Sequence, residues 1–600
     1  MAYDNLLQQA LELHQSGELD KAEVIYRQIM ETAPENTQVM HFLAMIAVAK
    51  GAFEVAIDLL YKAIAKDKKV APYHFNLAMA LQGKGFYKEA ADEYKTALKL
   101  DSSFAPEAYN NIANIYKQKG DFKAAAKAYK DAIKADEKAF YAYNGLGLLL
   151  REEGNNAEAM EYFRMASDIA PQVPDSLANL ATSLRMEERY TEALAYYDQA
   201  LEYADAMAAA RIYNSKGITL ELIGKESEAM NAYQKAISSD AGFADPYAHA
   251  GSIFLSQGKL KDAEEMLRKA ISLDAYLEDA FVNLGVVLYK SGLYMEAMEN
   301  YRQAILLNPK NPEVCNNLAI AVHTTGDLQE AAGLCFNVIA IDAKFAPVHN
   351  TLANILNDMF PKDKDTAIEI AKAWLKHVPD NPIAKHTLAS FTKDKKLTKA
   401  SKDYVRELFD GFADTFDAHL EGLDYCVPDL FAQKLQSTGK MYDKVLDLGS
   451  GTGLSGKAIR PFAKHLTGVD ISEKMLAKAE NTRLYDDLQN AEINAYLATK
   501  QNAFDLIIAG DVMEYFGDLA QTLALMHEAL KANGTVLFTT EENAEADTYE
   551  IKPYGRFAHG EEYLRRVLGN AGFKNPEISK VVLRKENHED VAGLMIYAQK

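Results

Sequence analysis

Tryptophan and cysteine are nearly missing from this 600-residue chain, which holds one Trp and three Cys. Cys315, Cys335 and Cys426 are scattered and lack C-x-x-C spacing, which argues against a disulfide framework or a zinc site. Basic charge is also short: 65 Lys and Arg face 86 Asp and Glu, for a net charge of −21. Affinity for nucleic acid comes largely from cations that neutralise phosphates, so this balance argues against nucleic acid and against an anionic membrane surface as partners. No stretch approaches the roughly 18 continuous apolar residues of a membrane span. The first residues, MAYDNLLQQALELHQSGELDKAE, lack a basic region followed by an apolar one. A cytoplasmic chain without membrane contact or metal is expected.

What is present is 48% hydrophobic and 25% charged, a soluble globular composition long enough for two or more units. Self-similarity dominates the first two thirds. Small residues recur from Ala22, Ala56 and Ala90 onward to Ala367, in steps of 34 to 36 residues. Each has a second small residue upstream, as in Ala10, Ala78, Gly147 and Gly285, and a large one four residues downstream, as in Tyr26, Tyr94, Phe163 and Tyr301. Such spacing predicts pairs of helices packed at a close crossing, with Gly17, Gly85 and Gly120 in the turns between them. The pattern resembles the tetratricopeptide repeat, with about eleven copies over residues 1–392. In the last two units Cys335 and Ala371 replace the aromatic and Trp374 appears, which suits a capping or docking role.

Asparagines stand two residues before the small position of several first helices: Asn76, Asn111, Asn179, Asn283 and Asn317. A primary amide both donates to and accepts from a peptide backbone. The series resembles the asparagine ladder with which the repeats of O-GlcNAc transferase hold a peptide, and it equally suits ties between neighbouring helices. Residues 393–402, KDKKLTKASK, are lysine-rich and poor in apolar residues, and read as a linker.

The remainder, 403–600, is organised around KVLDLGSGTGLSGKAIRPFAKHLTGVDIS, residues 444–472. An apolar strand, a glycine turn, a helix and a second strand ending in an acid make a nucleoside cradle, because glycines let backbone approach a ligand and helix N–H groups point at it. Asp470, at the second strand's tip, is placed to accept from ribose hydroxyls. A dinucleotide fingerprint needs G-x-G-x-x-G, but counted from Gly449 the last position is Leu454. The string instead resembles motif I of class I S-adenosylmethionine-dependent methyltransferases. That resemblance implies a Rossmann-like α/β domain with a terminal antiparallel hairpin, following the all-α solenoid.

It also implies that Asp447, Gly449, Gly451, Gly453, Asp470, Ile471, Glu492, Ile493 and Gly510 bind S-adenosylmethionine, with Glu492 meeting the adenine amino group and Ile493 its ring. Helices in 403–437, including YVRELFDGFADTFDAHL, resemble the cofactor lid of methyltransferases fused to such repeats, and their apolar stripe equally suits plain packing helices. Asp511 emerges at the end of the central strand, where it holds the methionine ammonium, orients a nucleophile or caps a helix. Glu514 and Tyr515 follow in the same mouth, with spacing that turns only one of them firmly inward, and Tyr515 joins Asp511 and His559 as an expected catalytic residue. Arg556 and His559 lie in a GR-aromatic-AH string similar to that family's. Arg556 is expected to contact substrate, and His559 either to contact substrate or act as general base, or to cap a helix and pack. The expected activity is methyl transfer to a protein, peptide or carrier-bound acceptor recruited by the repeats. A scaffold with an inactive domain and an enzyme for small molecules are the alternatives.

Overall fold

The computed structural model describes residues 2–544, 547–586 and 589–600. Helices α1 (Ala2–Gln15) through α22 (Lys364–His377) form eleven successive pairs, matching the spacing of the sequence anchors. Every anchor alanine from Ala22 to Ala367 is fully buried, as are Tyr26, Tyr94, Phe163 and Tyr197 beside them. The crossing depends on small residues: a Cβ on Gly217 would lie 2.4 Å from the Tyr233 ring. Turn glycines such as Gly85 take φ of +88°, which a side chain resists.

The chain divides into two compact units, residues 2–277 and 278–600. The first holds eight helix pairs. The second begins with three more, whose end is closed by Trp374, a fully buried side chain that donates to His349 Nδ1 at 3.2 Å. Helix α23 (Pro382–Phe391) follows and is joined to the catalytic-side loop 553–556: His386 Nε2–H donates to the Gly555 carbonyl at 2.7 Å and Ser390 to the Pro553 carbonyl at 2.9 Å.

Helices α24 (Lys402–Phe412), α25 (Phe416–Gly422) and α26 (Val427–Thr438) precede the sheet. Only α26 is a core helix, burying Val427, Phe431 and Leu435 beside Val445, Leu506 and Ile508. The strands are β1 (Tyr442–Leu448), β2 (Ala463–Asp470), β3 (Asp487–Asn490), β4 (Phe504–Ala509), β5 (Leu530–Glu542), β6 (Tyr549–Ile551), β7 (Phe557–His559), β8 (Lys574–Glu586) and β9 (Glu589–Gln599). Their order is β3-β2-β1-β4-β5, with β1 to β5 parallel, and β9 is antiparallel to both β5 and β8. Buried parallel strands read as continuous apolar runs, as VLDL, LIIA and VLF do. This is the expected doubly wound sheet with its antiparallel hairpin.

Two details depart from the expectation. The third strand is the polar edge segment Asp487–Asn490, and Glu492 instead caps the next helix, Ile493–Leu497, by accepting from the Ala495 N–H at 2.8 Å. The lysine-rich 393–402 stretch does not run free, because the Ala400 N–H donates to the Tyr515 carbonyl and the Gly517 N–H to the Thr398 carbonyl, each at 2.8 Å. Among the described residues, no helix is long and apolar enough to cross a membrane.

Candidate active site

A cavity of about 640 Å³ opens at the carboxyl ends of β1, β2 and β4, where a doubly wound sheet places its ligands. Its floor is the turn after β1. Gly449 and Gly451 have φ of +68° and +53°, and a Cβ on Gly449 would come within 2.2 Å of Val512 Cγ2. Asp470 closes the turn by accepting from the Gly451 and Ser472 N–H groups, each at 2.9 Å. Burial raises the Asp470 carboxyl above its ordinary range, and these backbone donors oppose the rise. Ile471, Glu492, Ile493 and Gly510 line the same space. Lys399 pairs with Glu492 at 3.2 Å.

Two of the expected cofactor residues stand behind the wall. Asp447 is fully buried on β1, where its Oδ2 accepts from the Tyr485 hydroxyl at 2.7 Å, and burial pushes its carboxyl up to about 7. Gly453 opens the next helix at φ +100° and faces Tyr485. Both shape the turn from beneath.

Helices α24 and α25 lie over the cavity with Phe409, Phe412 and Phe416. Two hydrogen bonds, each 2.5 Å long, tie them down: Ser472 Oγ to Asp410, and Thr452 Oγ1 to Asp417.

At the far end, the tip of β4 meets β5, the 553–556 loop and β8. Asp511 takes φ of +50°, unusual for a side-chain-bearing residue and a mark of functional sites. Arg584 reaches across from β8, donating through Nη1 to Asp511 at 2.6 Å, through Nη2 to Glu541, and through Nε to Glu586 at 2.9 Å. Arg556 donates to Glu541 at 2.7 Å and to Glu586 at 2.6 Å, and the Tyr554 hydroxyl donates to Glu541 at 2.8 Å. Burial raises the Asp511 carboxyl, while Arg584 opposes the rise. Glu586 is held below its ordinary range, because burial is outweighed by Arg556 and Arg584.

Glu514 and Tyr515 both line the cavity, although the spacing favoured only one. Glu514 is 3% exposed and its Oε2 has no hydrogen-bond partner. Burial first, then the neighbouring Asp511, raises its carboxyl well above the usual range.

His559 takes the packing alternative and not the base's role. It is fully buried, its Nε2–H faces the Phe516 and Gly517 carbonyls at 2.8 and 3.1 Å, and Nδ1 meets the Thr540 hydroxyl. Burial lowers it to about 4, so it is a neutral strut under the loop that carries Glu514 and Tyr515, with no ring nitrogen left for a base's work. Arg556 does line the cavity, but its guanidinium is already paired.

Of the asparagine series, the Asn76 amide meets His41 Nε2, Asn111 donates to the Tyr94 hydroxyl at 3.1 Å, and Asn179 donates to Asn144 at 3.1 Å. These three serve neighbouring helices, and Asn283 and Asn317 are half-buried. Sequence reasoning missed Lys399, Asp410, Asp417, Glu541, Arg584 and Glu586. An arginine inside the otherwise apolar KVVLR strand and the paired acids ending TVLFTTEE were the available signals for Arg584 and Glu541.

Strand order, glycine turn and the acid after β2 together define a class I methyltransferase domain. Comparison with known proteins agrees: a methyltransferase domain family matches residues 446–536. Tetratricopeptide repeat families match residues 70–138, 110–174, 179–249, 244–276 and 288–326. The chain therefore joins tetratricopeptide repeats to a class I methyltransferase domain. Among curated proteins it is similar to a ubiquinone biosynthesis O-methyltransferase of Aromatoleum aromaticum, at 27% identity over 138 residues, covering 22% of this chain and 56% of that one. It is also similar to a malonyl-[acyl-carrier protein] O-methyltransferase of Erwinia billingiae, at 27% identity over 144 residues, covering 24% and 56%. The chain thus spans little more than half the length of these relatives. Among solved structures, one from a study of Pseudomonas aeruginosa pilF matches with 22% identity and a TM-score of 0.31, covering 35% of this chain and 94% of that one.

Proposed function

We propose that this protein is an S-adenosylmethionine-dependent O-methyltransferase acting on an acceptor that its repeats recruit. One observation carries the reading: a single cavity joins the glycine turn and Asp470 to the Asp511–Arg584 cluster and to side chains of the last repeats, including Asn350, Asn354 and Thr387. The residues fit the cofactor. The turn offers backbone without Cβ at Gly449 and Gly451, Asp470 keeps lone pairs beyond its two backbone bonds, and Ile471 and Ile493 offer apolar faces to an adenine. Glu492 stands beside them as a hydrogen-bond acceptor. S-adenosylmethionine, when bound, supplies an electrophilic methyl group on a positively charged sulfur.

The chain's own contribution is alignment and exclusion of water. Phe409, Phe412 and Phe416 cover the site from above, and Tyr515 stands in the wall beneath Phe409, their rings 5.5 Å apart. His559 and Thr540 brace the loop that sets Glu514 and Tyr515. Both relatives are O-methyltransferases, which supports oxygen as the acceptor atom. The repeats support a protein, peptide or carrier-bound acceptor, because their last helices border the reaction space.

Calorimetric titration of S-adenosylmethionine into the whole chain tests this reading. We expect binding in the wild type and a loss of at least tenfold in Asp470→Ala, which removes both the backbone tie and the ribose acceptor. A folded wild-type protein that does not bind the cofactor would count against the reading.

A further inference from the structure

Glu514 stands apart from the other ionisable groups of the cavity. Asp511, Glu541 and Glu586 are all paired with Arg556 or Arg584. Three carboxylates against two guanidiniums leave one net negative charge in a buried cluster. Bound S-adenosylmethionine carries a sulfonium, an ammonium and a carboxylate, one net positive charge, and so balances it. Within the cluster no guanidinium then remains free for an anionic acceptor, since each already donates to at least two carboxylates, and the two lysines at the cavity's edge, Lys399 and Lys402, are exposed to solvent. Among the described residues of the cavity wall, the carboxyl left without a partner is that of Glu514, whose buried Oε2 joins two neutral unpartnered oxygens, Asn350 Oδ1 and Ser450 Oγ. An isolated buried carboxyl costs stability, so its presence calls for a ligand.

We propose, resting on the methyltransferase reading, that Glu514 is the acceptor's anchor: its Oε2 takes the hydrogen bond of an uncharged hydroxyl. Glu514 sits one residue from Tyr515 and three from Asp511, on the loop that the fully buried His559 holds from behind. Glu514 therefore determines specificity and touches the substrate directly.

The test uses the full chain saturated with sinefungin, an analogue that carries an ammonium in place of the sulfonium, and three small probes of matched shape: benzyl alcohol, benzoate and benzylamine. Binding is followed by ligand-observed NMR, in wild type and in Glu514→Met, which keeps the side-chain volume. In the wild type, benzyl alcohol should bind at least tenfold more tightly than benzoate and more tightly than benzylamine. In Glu514→Met, its affinity should fall by roughly tenfold, the worth of one buried hydrogen bond. Sinefungin affinity should stay within about twofold. The melting temperature should rise by about 2 °C or more, because an unpartnered buried carboxyl has gone. A residue with a merely structural role would lower it. Preference for benzoate or benzylamine, benzyl alcohol that does not bind or binds both proteins equally, or a lower melting temperature would overturn the inference and leave the methyltransferase reading standing. Failure of the wild type to bind sinefungin would remove both.

Discussion

Histidines at the joints of the catalytic unit are held uncharged, and this sets how the protein answers to acid. His386 and His559 are each lowered to about 4 by burial, against an ordinary value of 6.5. In the unfolded chain they take up protons as pH falls below 6.5, whereas the folded chain refuses them until about pH 4. Their contribution is therefore complete above pH 6.5 and is lost as pH falls from 6.5 towards 4, at most on the order of 3 kcal/mol for each. Urea midpoints at pH 7 and pH 5 should fall with acid in the wild type. His559→Gln, whose amide can donate to the Phe516 carbonyl and accept from Thr540, should lose less between the two values. Equal losses in both proteins would assign the acid sensitivity to other groups.

Among the elements, what the sequence revealed and what it hid divide by physical cause. The repeat helices were legible because a 34-residue period forces the same small-on-large contact each time, as Gly217 with Tyr233 and Gly285 with Tyr301 show. The parallel strands were legible as apolar runs around a glycine turn. The Asp511–Arg584–Glu541–Arg556–Glu586 cluster was not, since its members come from β4, β5, β8 and a loop and meet only through tertiary folding. His559 was left open between base and packing because its neighbours in sequence say nothing of the carbonyls that enclose it. The lid was anticipated as helices, yet its attachment rests on two carboxylates, Asp410 and Asp417, that no periodicity marks. Those two bonds make the lid's closure adjustable. Replacing both aspartates by alanine should weaken cofactor binding by roughly thirtyfold, mainly through faster release, if each bond contributes about 1 kcal/mol. Stopped-flow dissociation of sinefungin measures this. An unchanged release rate would mean that the aromatic contacts of Phe409 and Phe416 alone hold the lid.

For the whole molecule, the boundary that matters falls inside the repeat array. Lysine-rich 393–402 looks like a linker because its side chains are solvated, but its backbone bonds to the loop after β4, an interaction that does not depend on side-chain identity and so leaves no trace in composition. The compact unit begins instead at Glu278, with three helix pairs and α23 belonging to the catalytic side. His386 and Ser390 supply donors to the Gly555 and Pro553 carbonyls, and the His386 ring stacks on Tyr404 with centroids 3.8 Å apart. A fragment of residues 278–600 should therefore unfold cooperatively and keep the sinefungin affinity of the full chain. A fragment of residues 393–600 loses both donors and the stacking partner of Tyr404, exposing a surface that the helices had covered. Its thermal midpoint should lie roughly 5 °C or more below that of 278–600, with weaker sinefungin binding, because Arg556 and Tyr554 sit on the loop that α23 no longer fixes. Equal midpoints and affinities for the two fragments would show that the last repeats merely rest against the catalytic fold; the expected gap would make them part of the active site's frame, and would require any experiment that removes the recruiting repeats to cut at residue 277 rather than at 392.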